Sequence, residues 1–212
     1  EDAVIFTDVG WNKNGVAQEF DITIPGTIHH SSGLATMGFG PSAVLGGKVA
    51  APDKIVINLT GDGGFGINPS CLATAVEHGI ACTWVVMNNS AFGTIAGLEN
   101  ANYKTKFGTV FYKPDGERYT ICWADVAKSY GIESICVNSA EEFKPALEKA
   151  IAANKEGRPF LVEAPMENIV VPTPGCWNIN DIYTPNALVK EGKLVKKENG
   201  RYVAPSHSKS HD

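Results

Sequence analysis

The chain has 212 residues, 43% of them hydrophobic and 19% charged, with a net charge of -5. This composition belongs to a globular protein with a sizeable core and excludes a disordered or fibrous chain. No apolar run is long enough to span a bilayer, and without clustered Lys and Arg nothing favours nucleic acid.

The strand and helix signals alternate from the start. Ala3 to Thr7 (AVIFT) is a short apolar, β-prone run closed by Asp8, Val9 and Gly10, so it reads as a buried strand. A second extended piece is expected over Ile22 to Ile28, and a closely packed helix of small residues over Met37 to Val49. Ile55 to Leu59 (IVINL) is the next strand and runs directly into Gly61, Asp62, Gly63 and Gly64. Asn68 followed by Pro69 predicts a helix start, with Asn as the cap and Pro at the first helical position, and Gly79 predicts its end.

Cys82 to Met87 (CTWVVM) is again a strand, ending at Asn88 and Asn89. A short helix over Phe92 to Glu99 and an irregular stretch over Asn102 to Tyr119 follow. Helical spacing returns at Trp123 to Tyr130 and at Glu141 to Ala153, interleaved with strands at Ile132 to Val137 and Pro159 to Ala164. This alternation predicts an α/β fold, a parallel sheet with helices on both faces, over residues 1–165. Residues 166–212, broken by Pro172, Pro174, Pro185 and Pro205, are expected to form an irregular C-terminal tail.

The five cysteines (Cys71, Cys82, Cys122, Cys136, Cys176) form no C-x-x-C pair and mostly sit in apolar runs, which points to a reducing, cytoplasmic setting. The chain lacks an initiating Met and begins almost at a core strand, so Glu1 is expected to be a cut or boundary.

Two strand ends carry unusual chemistry. In an open parallel sheet, ligands bind beyond the carboxyl ends of the strands where the strand order reverses. GDGG places one carboxylate, Asp62, among three residues without side chains, which joins a hard ligand for Mg²⁺ to a backbone that an anion can approach closely. The helix expected after Asn68 would add its positive end to this field. Asn89 offers a neutral amide oxygen at the neighbouring strand end. Each half alone is more often an ordinary turn. Their pairing at two strand ends joined by a helix is what points to a metal and diphosphate.

GDG, the span from Gly64 to Met87, and then NN resemble the motif of thiamine-diphosphate-dependent enzymes, with Gly93 matching a glycine that often follows. SSGLATMGFGPSAVLGGKVAAPDKIVINLTGDGGF, WADVAKSYGIES and GRPFLVEA extend the resemblance over roughly Asp2 to Ala164, closest in kind to acetolactate synthases and benzoylformate decarboxylases. The resemblance implies that Asp62, Asn89 and the main-chain oxygen of Ala91 bind Mg²⁺, and that Gly63 and Gly64 meet the diphosphate of thiamine diphosphate. It implies that Met37 props the cofactor into its bent shape and that the carbonyl of Ala35, where relatives commonly have Gly, accepts its 4'-amino group. Read without it, Met37 is a core side chain filling a gap, and Ser31 and Ser32 are not separable from turn or cap residues.

The family's chemistry is addition to the carbonyl of a 2-oxo acid or aldehyde, with the cofactor as electron sink. The implied function is therefore 2-oxo acid decarboxylation or acetolactate-synthase-like ligation. A 2-oxoacid oxidoreductase subunit is the alternative, against which the missing cysteine cluster counts; a cofactor-binding but non-catalytic partner subunit is another. The glutamate that activates the pyrimidine ring lies, in the family, on a pyrimidine-binding domain, and nothing here resembles it. Glu19, Glu77 and Glu99 do not sit in its motif, so the expected partner is such a domain on another chain or on a missing N-terminal segment, within a homo- or hetero-oligomer. His29 and His30 are either structural or an acid-base pair at a strand end. Trp177 and Tyr183 either belong to a tail that covers the active site or pin that tail to the surface.

Overall fold

The protein is described by a computed structural model, which covers residues 3–105, 107–167, 189–196 and 202–203. Their elements run, in chain order, β1 (Ala3–Thr7), α1 (Trp11–Glu19), β2 (Ile28–His30), α2 (Phe39–Ala50), β3 (Ile55–Gly61), α3 (Asp62–Phe65), α4 (Cys71–Glu77), β4 (Thr83–Asn88), α5 (Gly93–Tyr103), α6 (Trp123–Ser129), β5 (Glu133–Cys136), α7 (Ala140–Lys155) and β6 (Phe160–Pro165). A short antiparallel pair, β7 (Val195–Lys196) with β8 (Tyr202–Val203), lies in the region expected to be an irregular tail. Trp177, Tyr183 and Cys176 fall outside the described residues.

Six strands form one sheet in the order β2-β1-β3-β4-β6-β5, and every pairing is parallel. Alternation along the strands divides the core between two faces. Val56, Trp84, Val86 and Leu161 pack with Val44, Leu72 and Ala127 from α2, α4 and α6. Ile57, Leu59, Val85, Phe160 and Val162 turn the other way, onto Ala146, Ala150 and Ala153 of α7. Helices thus cover both faces, as the unbroken apolar runs of the strands require. Two polar ties fix helices to the sheet: Trp84 Nε1 donates to Pro41 O at 3.0 Å, and Thr83 Oγ1 to Asn154 Oδ1 at 2.7 Å. Gly79, at φ +61°, follows the last residues of α4 in the left-handed conformation that ends a helix.

Three expectations change. The extended piece forecast over Ile22 to Ile28 is irregular until Ile28, and the strand is the three residues Ile28–His30. Asn68 does not cap a helix: its Nδ2 donates to Ser42 Oγ at 2.8 Å and its Oδ1 accepts from Ser70 Oγ at 2.6 Å. The helix on which the strand end opens is α3, beginning at Asp62 itself, so the positive end assigned to the later helix is not the one beside GDGG. α1 replaces a stretch that carried no periodic signal.

The chain steps from β1 outward to β2, then crosses back to β3 on the other side of β1. The strand order therefore reverses between β1 and β3, and the crevice beyond their carboxyl ends is the expected ligand position.

Candidate functional site

Residues from β1, β3, β4 and the turn before α2 converge at that crevice. From β3, Gly61 leads into Asp62, which is only 5% exposed. Burial pushes the Asp62 carboxyl up from its ordinary value of 3.8, against the main-chain N–H groups of Gly63, Ala91 and Ser90, which pull it down. One of these contacts is the N–H of Ala91 donating to Asp62 Oδ2 at 3.3 Å. A cation beside this buried carboxylate would favour its charged form.

From β4, Asn88 and Asn89 point to different work. Asn88 is buried and structural: its Nδ2 donates to Glu163 Oε1 at 2.7 Å and to Ile121 O at 2.8 Å, and its Oδ1 accepts from Ser90 N–H at 3.2 Å. Ser90 stands at φ +51°, a conformation rare without glycine, and this kink turns the chain back on itself. The end of the Asn89 side-chain amide consequently lies 3.1 Å from Asp62 Oδ1 and 2.9 Å from Ala91 O, where its nitrogen donates to both oxygens. Reversed, its oxygen would stand among acceptors, an orientation that only a cation between them would favour. Arg118 holds the outside of the same loop, its Nη2 donating to Asn89 O at 2.7 Å and Ser90 O at 3.3 Å.

Gly63 and Gly64 of GDGG are required by crowding. A Cβ on Gly63 would stand 2.7 Å from the Phe92 ring and 3.2 Å from Met37 Cε; one on Gly64 would stand 2.6 Å from Asp8 Oδ1. Met37 therefore reaches the GDGG turn from the segment before α2, half-buried, as a residue lining the crevice. Ala35 stands at φ +49°, the left-handed region that favours glycine. Gly93 opens α5, whose Thr94 Oγ1 lies 3.1 Å from a Cβ placed on Gly10 at the end of β1. Asp62, Gly63, Gly64, Met37, Asn89 and Ala91 are thus one cluster, with Gly93 two residues beyond Ala91.

His29 and His30 end the edge strand β2. His29 stacks on Phe6, ring centroids 4.8 Å apart, and both histidines are exposed. Glu99 accepts from Phe107 N–H at 3.1 Å and Thr109 Oγ1 at 3.0 Å, which ties α5 to the following loop. Glu77 is exposed at the end of α4.

Sequence reasoning missed three side chains that organise the cluster: Asp8, Arg118 and Glu163. Asp8 Oδ2 accepts from Gly38 N–H at 3.0 Å and Gly40 N–H at 2.9 Å, and Oδ1 from Val9 N–H at 2.7 Å. Glu163 Oε2 accepts from Ala124 N–H at 2.8 Å, at the start of α6. Apart from Val9, these hydrogen-bond partners lie 28 or more residues away in sequence, beyond any local pattern. The one available signal was a charged residue, Glu163, inside an otherwise apolar strand.

Comparison with known proteins fits this arrangement. The chain is 34% identical over 177 residues to a probable acetolactate synthase large subunit of Methanocaldococcus jannaschii, covering 82% of this chain and 29% of that one. It is 33% identical over 150 residues to a 3D-(3,5/4)-trihydroxycyclohexane-1,2-dione hydrolase of Bacillus velezensis, covering 71% of this chain and 24% of that one. The chain thus spans less than a third of the curated relatives it matches. The fold is shared with the thiamine diphosphate-dependent 4-hydroxybenzoylformate decarboxylase of Rhodococcus jostii RHA1, at a TM-score of 0.69 and 24% identity over 81% of this chain and 31% of that one. With residues 8–164 matching the model of the thiamine pyrophosphate enzyme C-terminal TPP binding domain, the chain belongs to the thiamine pyrophosphate enzymes.

Proposed function

We propose that this chain is the diphosphate- and Mg²⁺-binding part of a thiamine-diphosphate enzyme that cleaves or forms carbon-carbon bonds next to a carbonyl. The carrying observation is the convergence of Asp62 Oδ1, the Ala91 carbonyl and the Asn89 side-chain amide, whose inner atom lies 3.1 and 2.9 Å from those two oxygens. Oxygens at right angles around Mg²⁺, each roughly 2.0–2.1 Å from it, stand about 2.9 Å apart. The donor set fits the ion: one carboxylate, one amide and one carbonyl are hard ligands, and the remaining positions suit diphosphate oxygens and water. With an ion bound, the Asn89 amide would turn its oxygen inward.

Bound thiamine diphosphate would supply a nucleophilic carbon and an electron sink for 2-oxo acid or aldehyde substrates. The chain's own contribution is placement. Asp62, Asn89 and the Ala91 carbonyl would hold the ion, and the N–H groups of Gly63 and Gly64 would meet the diphosphate. Met37 and the Ala35 carbonyl would shape and orient the rest of the cofactor. The activating carboxylate would come from a pyrimidine-binding domain, in an oligomer or a longer chain. Leu34, 95% exposed, and Ile67, 62% exposed beside Gly38, offer that domain an apolar rim around the Met37 turn. The free thiols Cys71, Cys82, Cys122 and Cys136 suit a reducing cytoplasm.

Calorimetry on the chain with its pyrimidine-binding segment tests this reading. Thiamine diphosphate should bind only with a divalent ion, and Asp62→Ala should weaken it at least tenfold, about 1.4 kcal/mol. Unchanged affinity in Asp62→Ala would remove the metal assignment.

A further inference from the structure

Asp8 is fully buried at the end of β1, and its carboxylate is met by main-chain N–H groups. Two of them, from Gly38 and Gly40, converge on a single oxygen. Gly38 is the N-cap residue of α2, stands at φ +86° and has no side chain with which to cap the helix. Asp8 supplies that cap from another strand, and a negative group at a helix start also complements the helix dipole. Its other oxygen faces the second turn of the crevice, 2.6 Å from where a Gly64 Cβ would be. One side chain thus touches both the turn that carries Met37 and the GDGG turn.

The two turns are packed against each other at this joint. Met37 Cε lies 3.2 Å from a Cβ on Gly63, and Gly64 O lies 3.7 Å from a Cβ on Gly38. Gly40 admits no side chain, since its Cβ would stand 2.9 Å from Asp8 N and 2.4 Å from Asn58 Nδ2. α2 therefore rests directly on the ends of β1 and β3, and the Asp8 carboxylate fixes where its first turn begins. Asparagine cannot reproduce this. With its oxygen toward Gly38 and Gly40, its amide would face the Val9 N–H, a second donor; reversed, both glycine bonds are lost. Burial drives the Asp8 carboxyl up from 3.8, and the N–H groups of Val9, Gly40 and Gly38 oppose it.

We infer that Asp8 is a positioning residue for the cofactor, locking the Met37 turn against the diphosphate-side GDGG turn so that the two hold the ends of one ligand in register. The inference rests on the proposed binding of thiamine diphosphate. It predicts that damage at Asp8 is felt by a ligand spanning both turns and not by one that occupies the GDGG turn alone.

The test compares Mg²⁺-dependent binding of thiamine diphosphate and of inorganic pyrophosphate by calorimetry. It uses the full protein with its pyrimidine-binding segment, as wild type, Asp8→Asn, Met37→Ala and the double variant. Asp8→Asn should weaken thiamine diphosphate severalfold to tenfold while pyrophosphate changes less than about twofold. The double variant should bind no worse than the weaker single variant, because the two changes act on one contact. If Asp8→Asn does not fold, Asp8→Ser, whose hydroxyl can keep one glycine hydrogen bond, carries the same comparison. Parallel loss of both ligands, or additive losses in the double variant, would overturn the role of Asp8. A wild type that ignores thiamine diphosphate would instead overturn the function on which the role depends.

Discussion

Replacing Glu163 by Gln isolates the hydrogen-bond joint behind the metal-side loop. The carboxylate is 2% exposed and its two oxygens do different jobs, Oε1 accepting from Asn88 Nδ2 and Oε2 from Ala124 N–H and, at 3.6 Å, Cys122 Sγ. Gln keeps the shape but has one acceptor. Its amide group will turn toward Asn88, whose Nδ2 retains Ile121 O at 2.8 Å and Thr120 Oγ1 at 3.3 Å, and leave its oxygen on Ala124 N–H. The change therefore costs one hydrogen bond to a charged group, about 1.5–3 kcal/mol. For a chain of this size that is a fall in Tm of roughly 3–12 °C at about 2–4 °C per kcal/mol. Urea unfolding followed by tryptophan fluorescence measures it, with an unchanged m-value as the control. A loss below about 0.5 kcal/mol, the scatter of ordinary surface changes, would refute the claim that this carboxylate ties β4, β6 and α6 together.

Further outcomes follow from single features. Ala35 at φ +49° holds a conformation that costs a non-glycine residue about 1–2 kcal/mol, while Gly adds about 0.5–1 kcal/mol of chain entropy to the unfolded state. Ala35→Gly should thus leave stability equal or raise it by up to about 1.5 kcal/mol in chemical denaturation; a clear loss would mean the left-handed turn is not present. Burial pushes the Cys71 thiol up to about 12 and the Cys82 thiol higher still, from an ordinary 9.0. Because the fold favours the neutral thiols, their contribution to stability is complete below pH 9.0 and is lost as pH rises through about 12. The Cys71→Ala, Cys82→Ala double variant should flatten the stability profile across that window, and an identical alkaline slope would count against the burial. In the native protein a thiol reagent should modify the exposed Cys122 before either of them.

The sheet was legible because its strands are buried on both faces and so appear as unbroken apolar runs, IVINL and CTWVVM above all. α1 was not: WNKNGVAQE has no apolar stripe and carries Gly15 in its middle, so nothing marks it apart from the fold that places it. Asn68 was misread because Asn-Pro suits a helix start by rule, while here a short helix already follows Asp62 and the Asn side chain is drawn to Ser42 on α2. The meeting of Asp62 and Asn89 was legible from their positions at two neighbouring strand ends and from the resemblance. Asp8 looked like the end of a strand. Its work is visible only when Gly38 and Gly40, 30 and 32 residues away, are folded back onto it.

In the proposed site, Asp62, Asn89 and Ala91 would surround one Mg²⁺ that anchors the diphosphate. A crystal structure of the chain with its pyrimidine-binding segment, grown with Mg²⁺ and thiamine diphosphate, tests it directly. The expected result is an octahedral ion roughly 2.0–2.1 Å from Asp62 Oδ, Asn89 Oδ1 and the Ala91 carbonyl, its other positions filled by diphosphate oxygens and water. An ion bound elsewhere, or an Asn89 amide turned with nitrogen toward Asp62 while the cofactor is present, would contradict it.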